Sequence, residues 1–304
     1  MSHAAPQSSA ATAGEALREG VRRLETAGVP SAALAAELLL LHTLGRDRAW
    51  LYAHPEHMLD ALQSENFFAL LDQRAAGVPT QYLTGKQEFW GLDFEVTPAV
   101  LIPRSETEHI VEVSLARLGN SRRNSSLLVA EVGTGSGCIA VALAKELPRA
   151  KLFATDISRD ALAVARRNTE RHGVAHRIQL IECNLLEGVS TSAQDSSDMP
   201  VALDLVVSNP PYVAQRDAET LPLDVRKHEP AIALFAGDDG LSLYPTLIAQ
   251  AGLHLKPGGL LVMELGLGQF ESVGEMLDAS RGWTNVSAMQ DLAGIIRVIS
   301  AVRG

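Results

Sequence analysis

The segment "LDLVVSNPPYVAQ", residues 203–215, runs strand-forming aliphatic residues straight into Asn209, Pro210, Pro211 and Tyr212. Prolines end sheet pairing because they lack an N–H and fix φ. Two in succession predict a stiff loop that presents a side-chain amide, backbone carbonyls and an aromatic ring at the end of a buried strand. A second stretch, "EVGTGSGCIA", sets Gly133, Gly135 and Gly137 between an apolar strand and a helical run. Such a loop lets a ligand approach the backbone closely at a helix N-terminus. The dinucleotide fingerprint G-x-G-x-x-G is not met, because Cys138 stands three positions after Gly135. Asp156 ends the next strand, "LFATD", about 20 residues beyond the loop, where doubly wound folds place an acid that accepts ribose hydroxyls.

The elements that must position these residues follow from periodicity. From Ser126 onward the chain alternates strand and helix: "LLVAEVG", "CIAVALAKEL", "KLFATDI", "RDALAVARRNTERHG", "IQLIEC", "LDLVVSN", "LYPTLIAQAGLHL", "KPGGLLVMEL", a further helix, and a terminal strand pair. Alternation of this kind predicts an α/β fold with a mainly parallel, helix-covered sheet, and its ligands bind along the carboxyl edge. A helix is expected over Glu106–Leu118, with a polar loop at 119–126 and a solvent loop at "STSAQDSSDMP". Residues 15–78 read as a small helical bundle, with Ser31 as one N-cap, Gly45 as a terminator, and Trp50, Phe67 and Phe68 as packing residues. Residues 79–104, rich in aromatic and β-branched residues with glycines between, predict a β-hairpin linker. Residues 1–14 are expected to be a disordered leader and 105–304 the catalytic-scale domain.

Composition narrows the classes. The 304 residues are 46% hydrophobic and 20% charged, ordinary for a globular chain. No apolar run approaches the roughly 20 residues needed to span a bilayer, and the N-terminus lacks a signal-peptide pattern, so a cytoplasmic protein is expected. A net charge of −10 weighs against broad nucleic-acid binding. Cys138 and Cys183 are too few for a disulfide framework or zinc site and read as small buried hydrophobes. His54 and His57, three apart, have no further ligand nearby, so no metal is expected.

The run E-x-G-x-G-x-G from Glu131 to Gly137 resembles motif I of class I S-adenosylmethionine-dependent methyltransferases. The resemblance implies a Rossmann-like methyltransferase domain and S-adenosyl-L-methionine as cofactor. It places Glu131 near the methionine end, Gly133, Thr134, Gly135, Ser136 and Gly137 along the ligand, and Asp156 on the adenosine ribose. It puts Asn184 and Leu185 near the adenine, with Asn184 where family members often carry an acid. N-P-P-Y resembles motif IV of methyltransferases that alkylate a planar nitrogen of adenine, cytosine or glutamine. A delocalised nitrogen is a poor nucleophile. The Asn209 and Pro210 carbonyls would accept its two N–H bonds and favour the positive charge that grows during attack, Pro211 would stiffen them, and the Tyr212 ring would pack on the planar group.

"AAELLLLHTLGRDRAWLYAHPE", "RAAGVPTQYLTGKQEFWGLDFEVTPAVLIPRSETE", "HEPAIALFAGDDGL" and "DLAGIIRV" together resemble the HemK-like release-factor glutamine methyltransferases, from about residue 15 to the end. That family modifies the Gly-Gly-Gln glutamine of class I peptide release factors to N5-methylglutamine and carries a small N-terminal helical domain, joined by a β-hairpin, that helps recognise the protein substrate. "PRSETE" matches the family's P-R-P-E-T-E except at Ser105 and implies that Arg104 and Glu106 shape the substrate pocket; "HEP" (228–230) is a candidate cover. Three alternatives share parts of the pattern: a ribosomal-protein glutamine methyltransferase, an N6-adenine nucleic-acid methyltransferase, and a non-catalytic cofactor-binding module. "LVMELGLGQ" and "DLAGIIRV" look more like the release-factor group, and the acidic charge opposes the nucleic-acid reading.

Overall fold

A computed structural model describes residues 11–190 and 202–304; most of the expected leader and of the "STSAQDSSDMP" loop lie outside the described residues. The chain divides into two units, residues 11–85 with Pro222–His228, and Lys86–Leu221 with Glu229–Gly304.

The smaller unit contains helices Ala13–Thr26, Ala32–Leu44, Arg48–Ala53, Ala61–Ala75 and Thr80–Thr84, together with Leu223–His228. Two of them start on reciprocal caps, Thr12 with Glu15 and Asp60 with Gln63, which satisfy backbone N–H groups that have no partner inside a helix. Leu24, Leu39, Leu40, Phe67 and Leu71 fill the core between them. The first helix begins at Ala13, two residues before the expected start of the bundle. Ser31 does precede the second helix but adopts a left-handed conformation (φ 52°) and forms no side-chain cap. Trp50 lies at the margin rather than in the core, its ring flanked by His54 and His57 at 5.1 and 5.0 Å between centroids. Arg74, buried, pairs with Asp224 at 3.3 Å and holds the late segment 222–228 within this unit.

The larger unit opens with an antiparallel hairpin, β1 (Lys86–Phe89) and β2 (Leu92–Glu95). Phe89 and Phe94 are buried with rings edge to face at 6.2 Å, so the hairpin belongs to this unit's core. The main sheet follows: β3 (Leu128–Val132), β4 (Lys151–Asp156), β5 (Ile178–Glu182), β6 (Leu203–Ser208), β7 (Leu255–Glu264), β8 (Trp283–Gln290) and β9 (Ile296–Arg303). Their order is β5-β4-β3-β6-β7-β9-β8, parallel from β5 through β7 and antiparallel at β9 and β8. Helices cover both faces, which is why the central strands read as unbroken apolar runs. Val129, Leu205 and Val207 face one core with helices Glu108–Arg123 and Cys138–Glu146, while Ala130, Val132 and Val206 face the other with Tyr244, Leu247 and Ile248. The helix expected over 106–118 is preceded by a 3-10 turn (Ser105–Thr107) and continues to Arg123. Only Gly119 (φ 69°) breaks it, so much of the expected polar loop is helical.

The sheet reverses its winding at β3, whose neighbours are β4 on one side and β6 on the other. Such a switch point opens a crevice at the carboxyl ends of the strands. Asn168, fully buried on helix Arg159–Arg171, braces the region beside it. Its Oδ1 accepts Glu95 N at 2.8 Å, and its Nδ2 donates to the carbonyls of Glu95 (3.0 Å) and Ser136 (2.9 Å). One amide therefore ties the hairpin, a helix and the glycine loop together. Asn168→Ala strands all three backbone groups, each costing about 1–3 kcal/mol when buried. It is expected to destabilise the protein by about 2–4 kcal/mol, read as a lowered urea midpoint; an unchanged midpoint would show that the brace is dispensable.

Candidate active site

A cavity of about 220 Å³ occupies the crevice. It is lined by the glycine loop, Asp156, Asn184 and Leu185, Asn209–Pro211, and the segments around Leu101, Thr107 and Ile232.

The glycine loop is shaped by a buried carboxylate. Glu131 Oε2 accepts the Thr134 hydroxyl at 2.6 Å and Ala140 N at 3.0 Å. Helix Cys138–Glu146 begins at Gly137, which has no side chain to cap it, so Glu131 supplies the cap from the preceding strand. Its other oxygen, Oε1, has no hydrogen-bond partner among the described residues. Burial pushes the Glu131 carboxyl up to about 8, against the pull of the Thr134 and Ala140 hydrogen bonds. A cationic or hydrogen-bond-donating ligand group at Oε1 would favour its charged form.

Gly133 N and Thr134 N both donate to Thr155 O at 2.9 Å, folding the loop across the end of β4. Gly135 N then donates to Asp156 Oδ2 and Ser158 N to Oδ1, each at 2.9 Å. Asp156 is thus fixed by two backbone donors with lone pairs remaining for a diol; its carboxyl sits above the ordinary range because burial outweighs those bonds. Gly137 is the exception within the loop. It does not line the cavity, and a Cβ on it would lie 3.2 Å from Ala165 Cβ at φ +82°, so glycine here serves helix packing. Acidic side chains stand at both ends of the loop, and one of them already takes the Ala140 N–H at the helix N-terminus. The crevice suits a ligand rich in donors.

Asn184 lines the cavity while its Nδ2 bonds Glu187 Oε1 at 3.1 Å, and Leu185 beside it is left-handed (φ 51°). Ile157 and Ile232 also line the cavity, 56% and 60% exposed, and form an open apolar rim.

Across the crevice, Ser208 Oγ pins the end of β6 to Val132 O at 2.8 Å. Asn209 follows on the cavity wall, and its Nδ2 donates to Thr107 Oγ1 at 3.1 Å. Both prolines line the wall with trans peptide bonds. Tyr212 does not line the cavity. Its hydroxyl donates to Glu264 Oε1 at 3.1 Å, its carbonyl accepts from Gln269 Nε2 at 3.0 Å, and burial pushes its pKa up. Arg104 and Glu106 also stand off the cavity lining. Arg104 pairs with buried Glu229 of "HEP" at 2.5 Å, and Glu229 also accepts Ile102 N at 3.4 Å; Pro230 of the same motif lines the cavity.

Three residues of this arrangement were not singled out from the sequence as site residues. Thr107 lies inside "PRSETE". Glu264, at the end of β7, is an acid closing an apolar strand, a signal legible in "LLVMEL". Gln269 spends its full amide on the loop: Nε2 bonds Tyr212 O and Gly240 O, and Oε1 accepts Gly266 N and Tyr244 OH.

A mainly parallel sheet with this crevice defines a Rossmann-like methyltransferase domain, and residues 115–224 match the methyltransferase small domain family while residues 15–85 match the PrmC N-terminal domain. The hMettl16 catalytic domain in complex with MAT2A 3'UTR hairpin 1 has the same fold at TM-score 0.54 and 15% identity, covering 76% of this chain and 80% of that chain. The release factor glutamine methyltransferase of Koribacter versatilis is 41% identical over 94% of this chain and 96% of its own. That of Xylella fastidiosa (strain Temecula1) is 45% identical over 86% of this chain and 90% of its own. The chain belongs to the release factor glutamine methyltransferase family.

The block "FAGDDGL" acquires a specific use. Gly240 (φ +79°) lies so close under the Asn-Pro-Pro-Tyr loop that a Cβ on it would sit 2.3 Å from Tyr212 O and 3.1 Å from Ala214 N. Gly240→Ala must displace backbone. It is expected to cost about 1–3 kcal/mol and to speed hydrogen exchange at Val213 N, which bonds Leu234 O; unchanged exchange there would disprove the close fit.

Proposed function

We propose that this chain methylates N5 of the glutamine side chain in the Gly-Gly-Gln motif of class I peptide release factors, with S-adenosyl-L-methionine as donor. The observation that carries the reading is Asn209, rigidly followed by two prolines, on the wall of a cavity whose opposite side offers Glu131 and Asp156. The residues present fit the cofactor. Glu131 Oε1 is a buried acceptor without a partner, suited to an ammonium, and Asp156 keeps acceptor capacity for ribose hydroxyls. Glycine positions 133 and 135 allow close approach, while Asn184, Leu185 and the Ile157 rim would enclose an adenine. When bound, the cofactor supplies an electrophilic methyl group on a sulfonium.

The chain's own contribution is to hold the amide nitrogen. With Nδ2 committed to Thr107, Asn209 keeps Oδ1 as an acceptor on the cavity wall, and Pro210 follows it there on a loop that two prolines stiffen; the Pro210 carbonyl is the candidate second acceptor. Two acceptors orient both N–H bonds of the glutamine amide and stabilise the charge that develops as its lone pair is withdrawn from resonance. Orientation of this kind contributes on the order of 7–11 kcal/mol where fully realised. Tyr212 supports the loop through Glu264 and Gln269 instead of lining the cavity, and Arg104 acts through its pair with Glu229. The helical unit is the candidate for recognising the release factor, a substrate that implies work in the cytoplasm. Among the described residues no helix is long and apolar enough to cross a membrane.

Incubation of the enzyme and cofactor with intact release factor is expected to add 14 Da, on the order of one methyl group, to the Gly-Gly-Gln peptide in mass spectra. Methylation of ribosomal protein or DNA instead would redirect the assignment. Asn209→Ala is expected to lower kcat about 10²–10³-fold, the scale for losing one preorganised polar contact to developing charge, with cofactor Kd little changed. Near-normal turnover by that variant would remove Asn209 from the mechanism.

A further inference from the structure

We propose that Glu229 is a positioning residue for methyl transfer: its buried carboxylate closes a circuit of chain and hydrogen bonds along the cavity wall, and so fixes the Thr107 hydroxyl against the Asn209 amide. The inference rests on the methyl-transfer reading above and gives "HEP" a use which that reading leaves open.

The circuit can be followed bond by bond within the larger unit. It starts at Asn209, whose Nδ2 donates to Thr107 Oγ1 at 3.1 Å. From Asn209 the chain runs through both prolines and Tyr212 to Val213. There Val213 N donates to Leu234 O at 2.9 Å, and Val213 O accepts Ala236 N at 3.0 Å. The chain re-enters this unit at Glu229, so residues 229–234 form one short limb, held at its far end by the residue after the Asn-Pro-Pro-Tyr motif. At the near end, Glu229 Oε1 accepts Arg104 Nη2 at 2.5 Å and Oε2 accepts Ile102 N at 3.4 Å. Arg104 O in turn accepts Thr107 N at 3.2 Å across the 3-10 turn Ser105–Thr107, and Thr107 returns to Asn209. Pro103, Thr107, Asn209, Pro230 and Ile232 line the cavity, so each stretch of the circuit contributes to its wall.

Two features make Glu229 the closure. Its oxygens take donors on either side of Pro103, the backbone of Ile102 and the side chain of Arg104, while Pro230 follows it directly in the chain. One carboxylate therefore sets two cavity-lining prolines, 103 and 230, against each other. Its side chain is also 1% exposed, against 33% for that of Arg104. Apolar packing would join two segments without the desolvation cost of a buried ion pair. Charge-assisted hydrogen bonds fix direction and register as well, and a wall that must orient an amide needs both. Without the carboxylate, the Ser105–Thr107 turn loses its anchor to the limb, and Asn209 loses the fixed partner of its nitrogen end. A misplacement of about 1 Å at a reacting group can cost about 10²-fold in rate.

The test compares Glu229→Ala, Glu229→Gln and Arg104→Met with wild type. It reads kcat at saturating cofactor and release factor, cofactor Kd, and the ¹⁵N side-chain amide resonance of Asn209 in cofactor-free protein. Glu229→Ala should lower kcat by about ten- to a hundredfold and shift the Asn209 resonance. Cofactor Kd should change little, because Glu131 and Asp156 lie outside the circuit. Glu229→Gln keeps an acceptor for one of the two donors and should recover part of the loss. Arg104→Met removes the shorter bond from its more exposed end and should reproduce most of the loss. A folded Glu229→Ala with a lowered urea midpoint, wild-type kcat and an unmoved resonance would show a purely structural role and overturns the proposal. So does wild-type kcat in Arg104→Met, even if Glu229→Ala fails to fold. Wild-type enzyme that never methylates release factor refutes the functional assignment instead. The Asn209 resonance in Arg104→Met then decides for the circuit if it shifts and against it if it does not.

Discussion

A single buried carboxylate at the start of a helix organises the catalytic half of this protein. Glu131 caps helix Cys138–Glu146 with one oxygen, and the same oxygen fixes Thr134, so the glycine loop and the helix are set by one group. Carboxylates are costly to bury unless hydrogen-bonded. This one is hydrogen-bonded through one oxygen, and the other is buried without a partner among the described residues, which holds its carboxyl up at about 8. Glu131 takes up one of the N–H groups that a helix N-terminus can offer to a phosphate, that of Ala140, and the crevice presents acceptors beside it.

The opposite wall obeys a stricter form of the same constraint. A loop with consecutive prolines cannot satisfy itself through sheet pairing, so its polar groups must find side-chain partners. Gln269 uses both donors and both acceptor sites of its amide to clamp Tyr212 and Gly240 to the end of β7. Tyr212 returns to Glu264 on the same strand end. Rigidity of the Asn209 carbonyl is therefore a property of β7 and the turn after it as much as of the prolines.

The parallel sheet, the glycine loop, Asp156 and the Asn-Pro-Pro-Tyr loop were legible because each leaves a local signal: an apolar run, glycines at a strand end, or a pair of prolines. What was not legible was tertiary. Tyr212 was expected to face the substrate, since an aromatic beside a planar-nitrogen clamp invites stacking, yet its hydroxyl is drawn away by Glu264, far along the chain. Gly137 belongs to the motif by spacing but contacts Ala165, because the helix it begins packs against its neighbour there. Arg104 looked like a pocket residue and instead neutralises Glu229, a buried acid whose pairing nothing in "HEP" announces. Thr107 was visible only as one letter of a motif, since a hydroxyl gains meaning from the groups on either side of it.

The two walls divide the chemical work by hydrogen-bond polarity. Methylating an amide nitrogen requires that its lone pair be withdrawn from the carbonyl while positive charge appears on the nitrogen. Donors near the nitrogen oppose that charge, and acceptors favour it. The glycine-loop wall supplies carboxylates, and the proline wall supplies carbonyls. The remaining task is to ensure that an asparagine, whose two ends are nearly the same shape, offers the correct one. Thr107 takes the nitrogen end: Asn209 Nδ2 donates to Thr107 Oγ1 at 3.1 Å, which leaves Oδ1 as the acceptor of that amide.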